Sequence, residues 1–160
     1  MNRFHSLSHE EAAGELMTCC AVRSWAVRVA DSRPFADEAA LVATGRELAE
    51  QLTWPQVLEA LSAHPRIGQR LLQPTTEARW SRQEQSGVST DSRQAFIAGN
   101  AAYESRFGHI FLICATGLSG EQMLAEVTRR LDNDVAREQV EVRRELTKIV
   151  ELRLRKLVGS

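Results

Sequence analysis

The chain has little cysteine: of 160 residues only Cys19, Cys20 and Cys114, with no CxxC among them. An odd set without that spacing argues against a disulfide framework and against a zinc site. All three are expected to be reduced, buried thiols of a cytoplasmic protein. Excess charge of either sign is also missing, because 20 Lys+Arg stand against 21 Asp+Glu. Bulk electrostatics therefore gives no reason to expect a nucleic-acid or membrane-surface partner. No uninterrupted apolar run is long enough to span a bilayer. The opening Met1-Asn2-Arg3-Phe4-His5-Ser6 lacks the apolar core of a secretory signal, and the closing Leu157-Val158-Gly159-Ser160 is not a peroxisomal tripeptide. Neither an internal repeat nor a Pro/Gly/Ser-rich linker divides the chain. What remains, with 43% hydrophobic residues, suits a single globular domain over 1–160 with a real core.

Helix signals fill most of that length. Ser8 and Glu11 have capping-box spacing, which predicts a helix from there to about Cys20. Trp25, Val27, Val29 and Ala30 mark a short second helix ending before Pro34. The stretch 36–52 repeats its apolar residues at helical spacing, with Ala40, Leu41, Leu48 and Leu52 on one side. Thr53 can cap the next helix, where Pro55 falls in the tolerant first turn. A further helix is predicted over 76–86, ending at Gly87. Thr90 or Asp91 caps the one carrying Phe96, Ile97 and Tyr103, which ends near Gly108. The run 110–115 is apolar and short, and periodicity leaves strand and buried helical turn both open. Ser119 with Gln122 opens a helix through Leu131, and Asp134 caps a last long helix to about Leu157. The sum is an all-α, single-domain bundle of about eight helices with short connections.

Three places carry residues suited to chemistry. His64-Pro65 follows directly on the helix that starts at Trp54. Proline disfavours the α conformation in the residue before it, so this helix should end at or just before His64. That corner holds an imidazole by backbone, and imidazole is the side chain best suited to proton transfer near neutrality. A histidine interacting with the last carbonyls of its helix is the plainer alternative. Ser81, Glu84 and Gln85 share one helix face at i, i+3 and i+4, either a solvated face or a polar wall. Arg153 stands out more. Val142, Leu146, Ile149, Val150 and Leu157 form the apolar stripe of the last helix, and Arg153 falls inside it. A buried guanidinium needs an anionic partner. That partner is either a side chain such as Glu84 or the carboxylate of a ligand. His109 is expected to have a surface or packing role, and Cys114 lacks a histidine motif that would activate it.

Four segments in this order, Ala63-His64-Pro65-Arg66-Ile67-Gly68, Ser81-Arg82-Gln83-Glu84-Gln85-Ser86-Gly87, Phe107-Gly108-His109-Ile110-Phe111-Leu112-Ile113-Cys114-Ala115 and Leu152-Arg153-Leu154, resemble the 2-oxo-4-hydroxy-4-carboxy-5-ureidoimidazoline (OHCU) decarboxylase family. The resemblance runs from about Phe4 to Leu157. It implies an all-helical homodimer, free of metal and organic cofactor, that converts OHCU to (S)-allantoin and CO2. It also implies roles. His64 is the catalytic histidine with Pro65 shaping its pocket, and Glu84 joins it in catalysis. Ser81, Arg82, Gln83, Glu84 and Gln85 line the substrate site. Phe111, Leu112, Ile113, Cys114 and Ala115 offer backbone groups to the ureidoimidazoline, and Arg153 meets the anionic ligand. The chain departs from the family pattern at Thr116, where some relatives carry arginine, and at His109, where a larger apolar residue or proline is common. Two other readings stand beside the lyase: a helical protein–protein interaction module, and hydrolysis of a related ureido compound by the same residues.

Overall fold

A computed structural model describes residues 1–66 and 93–159. Eight helices account for most of them: α1 (Asn2–Ser6), α2 (His9–Leu16), α3 (Arg23–Asp31), α4 (Glu38–Glu50), α5 (Trp54–Leu61), α6 (Arg93–Phe107), α7 (Gly120–Arg130) and α8 (Val135–Gly159). No strand occurs among the described residues, so the all-α expectation holds. The predicted helix over 76–86 and its neighbours Thr90 and Asp91 lie outside the described residues.

The start signals work as local chemistry predicts. Ser8 accepts from the Glu11 N–H while Glu11 reaches back to the Ser8 N–H, and Ser119 and Gln122 do the same at α7. Each box satisfies two backbone donors that a helix start leaves open. Thr53 and Gln56 form a third reciprocal pair at α5. Asp37 caps α4, and Asp134 accepts from the Arg137 N–H at 2.7 Å at the start of α8. Most helix ends also fall where expected, with one exception. α2 stops at Leu16, not near Cys20, because the chain tightens into a turn in which the Cys19 N–H bonds Leu16 C=O at 2.9 Å. That turn buries Cys19 and Cys20 completely, whereas Cys114, expected to be buried, is half-exposed. The short α1 carried no cap signal; it forms around the buried Phe4.

The chain divides into two compact units, residues 1–60 with 147–160, and residues 61–146. In the first, α2 packs on α3 and α3 on α4. Trp25, Val29, Leu41, Ile149, Val150 and Leu154 are among its buried residues. Gly45 allows close approach there: a Cβ at that position would sit 2.4 Å from Leu154 Cδ1, and the Gly45 C=O accepts from Trp25 Nε1 at 2.9 Å. In the second unit, Phe96, Tyr103, Phe111, Ile113, Met123 and Val127 form one core, with α6 against α7. α8 supplies its first half to this unit and its second half to the other.

Candidate active site

α5 closes at Leu61, and the His64 N–H donates to Leu61 C=O at 3.0 Å. The helix therefore ends just before the His-Pro corner, as proline requires of its predecessor. His64 and Pro65 are half-buried. Arg66 comes next and reaches α6. Its Nε lies 3.0 and 2.9 Å from the two Glu104 oxygens, and its Nη2 donates to Oε1 at 2.7 Å. The carboxylate raises the already high Arg66 pKa further.

Downstream of α6, Gly108 takes φ +78°, a left-handed conformation suited to glycine, and its N–H bonds Glu104 C=O at 2.8 Å. His109 then packs edge-on to Tyr103 with ring centroids 5.5 Å apart, which is the packing role expected of it. Residues 110–115 are neither strand nor helical turn; they run as irregular backbone. Phe111, Leu112, Ile113 and Ala115 are buried, and Cys114 is half-buried. The backbone of this segment is partly committed to protein partners. Leu112 C=O accepts from Arg130 Nη1 at 2.7 Å, the Cys114 N–H donates to Glu145 at 3.2 Å, and Ala115 C=O accepts from the Leu118 N–H at 3.0 Å.

Arg130 belongs to a buried polar cluster that reading the sequence had not singled out. Arg130 and Glu138 are each 1% exposed. Arg130 Nε donates to Glu138 Oε1 at 2.6 Å; Nη2 lies 2.5 Å from the same oxygen but off the line of its N–H bonds. The Tyr103 hydroxyl donates to that oxygen at 2.8 Å, and Asn133 Nδ2 to Oε2 at 3.1 Å. Burial, and then the bond to Glu138, push the Tyr103 phenol pKa well above its usual value. The guanidinium lies 4.6 Å from the Phe111 ring centroid and 5.8 Å from that of Tyr103. Such a pair costs roughly several kcal/mol to desolvate. Here it holds the carbonyl at the centre of the 110–115 run. A signal was present: Met123, Val127 and Arg130 stand at i, i+4 and i+7, the same pattern that exposed Arg153.

Arg153 is fully buried, as its place in the stripe predicts. Its Nη1 donates to Thr18 C=O at 3.4 Å, at the turn that follows α2. Leu154 is fully buried beside it, whereas Leu157, expected in the stripe, is half-exposed. Ser81, Arg82, Gln83, Glu84 and Gln85 lie outside the described residues, and with them any pairing of Arg153 with Glu84. His64 and the Phe111–Ala115 segment thus belong to one unit, and Arg153 to the other.

A family model described as OHCU decarboxylase matches residues 5–155. The 2-oxo-4-hydroxy-4-carboxy-5-ureidoimidazoline decarboxylase of Amia calva is 31% identical over 99% of this chain and 94% of its own length. The uric acid degradation bifunctional protein TTL of Arabidopsis thaliana is 30% identical over 96% of this chain, which spans 49% of that protein. A crystal structure of OHCU decarboxylase in the presence of (S)-allantoin superposes with a TM-score of 0.77 at 30% identity, covering 91% of this chain and 98% of that one.

Proposed function

The chain belongs to the OHCU decarboxylase family, and from that premise we propose that it is the carboxy-lyase of urate degradation that converts OHCU to (S)-allantoin and CO2. The observation that carries this reading is a family match over 5–155, which contains the His64-Pro65 corner, the 110–115 segment and Arg153 together. The same match includes residues of both compact units and supports treating 1–160 as one functional domain.

The chemistry asks for little beyond placement. OHCU carries its carboxylate on C4, next to a ring C=N bond at C5. When the bond to the carboxylate breaks, its electron pair forms a C4–C5 double bond and the C=N pair moves to nitrogen. CO2 leaves, the ring nitrogen and C5 each take a proton, and the C4 hydroxyl gives up its proton to become a carbonyl, so that one proton is consumed overall. The substrate supplies its own electron sink, so the reaction calls for no organic cofactor or metal. The protein must hold the anion, exclude bulk water and deliver one proton to one face.

His64 fits the proton transfer, held on a rigid corner between a closed helical turn and Pro65. Arg153 fits the anion, because a buried guanidinium gains most from an anionic partner. Pro65 and the backbone of Phe111, Leu112, Ile113, Cys114 and Ala115 fit the walls around the ring and ureido group. Ser81, Arg82, Gln83, Glu84 and Gln85 are proposed on the resemblance alone, with Glu84 orienting His64 or the ureido group. A homodimer is proposed on the same footing, and a cytoplasmic location on the reading of the three cysteines as reduced thiols. Among the described residues no helix is long and apolar enough to cross a membrane.

Freshly generated OHCU, mixed with the purified protein, tests the reading. We expect CO2 release with formation of the (S) enantiomer. Racemic allantoin appearing at the spontaneous rate would overturn it, and hydrolytic loss of the ureido group would favour the ureido-hydrolase alternative.

A further inference from the structure

We propose that Glu104 is a positioning residue for His64, and that its ion pair with Arg66 ties the His64-Pro65 corner to the helix that delivers the Phe111–Ala115 segment. The inference rests on the reading of His64 as the proton-transfer group.

The corner is held on its upstream side by the His64 N–H bond to Leu61 C=O at 3.0 Å. Pro65 fixes its own φ and restricts the backbone of His64 before it. With few free dihedrals between them, whatever anchors Arg66 also anchors His64. The anchor is a carboxylate: both oxygens of Glu104 face the guanidinium, at 2.7–3.0 Å. This fork geometry restrains direction as well as distance.

The other end of the tie is equally firm. Glu104 sits in the last turn of α6, where its own C=O accepts the Gly108 N–H at 2.8 Å. Its neighbour Tyr103 is fully buried, 5.2 Å centroid to centroid from Phe111. A push on Glu104 is therefore a push on the frame that carries residues 110–115. His64, Arg66, Glu104 and that segment all belong to one compact unit.

The pair is partly exposed, with side-chain exposures of 52% for Arg66 and 24% for Glu104. Exposed ion pairs contribute little to stability, so the consequence of this one is geometric. Proton transfer tolerates little misplacement, and a shift of about 1 Å can cost on the order of 10²-fold in rate.

The experiment measures kcat on freshly generated OHCU, the Kd of (S)-allantoin and the melting temperature. The variants are Glu104→Ala, Arg66→Ala and the double exchange Arg66→Glu with Glu104→Arg. Glu15→Gln serves as control, because Arg3 and Glu15 form a similar exposed two-pronged pair in the other compact unit. His64→Ala gives the floor, a loss of roughly 10²-fold or more if it transfers the proton. Each single change should lower kcat by roughly 10-fold, with allantoin affinity and melting temperature at wild-type values. The double exchange should regain most of the loss, and Glu15→Gln should match wild type. Wild-type kcat in Glu104→Ala, with His64→Ala inactive, would overturn the positioning role alone. A double exchange as impaired as Glu104→Ala would overturn it too. Wild-type kcat in His64→Ala would instead remove the reading of His64 on which the inference stands.

Discussion

At the scale of single residues, the informative ones are charges placed where apolar side chains belong. Arg153 could be picked from sequence because Ile149, Val150 and Leu157 stand three or four residues from it on one helical face, and the structure leaves it 0% exposed. Arg153→Met keeps length and helix propensity and loses the bond to Thr18 C=O. If the guanidinium serves an anionic substrate and not the fold, relief of its desolvation offsets that loss and stability should change by no more than about 1 kcal/mol. Binding of (S)-allantoin should weaken by roughly 2–5 kcal/mol, the scale for removing one partner of a buried charge pair. A large fall in melting temperature with allantoin affinity intact would make Arg153 a structural partner instead. Glu141 supports a prediction in pH. The hydrogen bonds from Arg129 hold its carboxyl pKa below 4.5. A depressed carboxylate pKa stabilises the fold above the unfolded value and loses that contribution as pH falls through the folded one. Arg129 is half-exposed, so screening limits the effect: Glu141→Gln should cost about 0.5–1 kcal/mol at neutral pH. The gap from wild type should start to close as the pH drops below 4.5. Urea unfolding at a series of pH values checks this, and a gap independent of pH would contradict it.

At the scale of elements, most starts and most ends were readable, and the end of α2 was not. A capping box needs only two residues three apart, so Ser8 with Glu11 and Ser119 with Gln122 announce themselves. The end of α2 depends on how tightly Cys19 and Cys20 tuck under the helix, which is a matter of packing. The 110–115 run could not be assigned because its shape is imposed from outside. Arg130 and Glu145 satisfy backbone groups that a strand or helix would have satisfied. Two changes test these element contacts. Gly45→Ala puts a methyl 2.4 Å from Leu154 Cδ1. Overpacking of this kind costs about 1–3 kcal/mol, against about 1 kcal/mol regained in helix propensity. Net destabilisation in urea is expected, and a stabilised variant would mean that Leu154 moves aside freely. Glu138→Gln leaves the guanidinium of Arg130 buried without its counter-charge. It should cost about 3–5 kcal/mol, the scale for breaking a buried pair. A loss under about 1 kcal/mol would mean that the carboxylate is not what neutralises Arg130.

At the scale of the whole molecule, one expectation concerns chemistry more than architecture. Because the proposed electron sink belongs to the substrate, EDTA and carbonyl reagents should leave turnover unchanged. Activity lost to EDTA and restored by a divalent ion would contradict the mechanism. The helical class, the helices of the described residues other than α1, and the family resemblance were legible in the chain. They rest on short-range patterns: apolar residues at helical spacing, caps three residues apart, and motifs a few residues long. His64 and Arg153 were legible for the same reason, since a His-Pro corner and a charge within an apolar stripe are local features. The Arg66–Glu104 pair and the Arg130–Glu138 cluster were not paired by any such pattern. The first joins residues 38 apart, and the second takes its hydroxyl from Tyr103, 35 residues before Glu138. Which distant charge meets which depends on how α6, α7 and α8 pack, and no periodicity within one helix encodes that. Local patterns choose the elements, but only their packing aligns a guanidinium with the carbonyl it must hold.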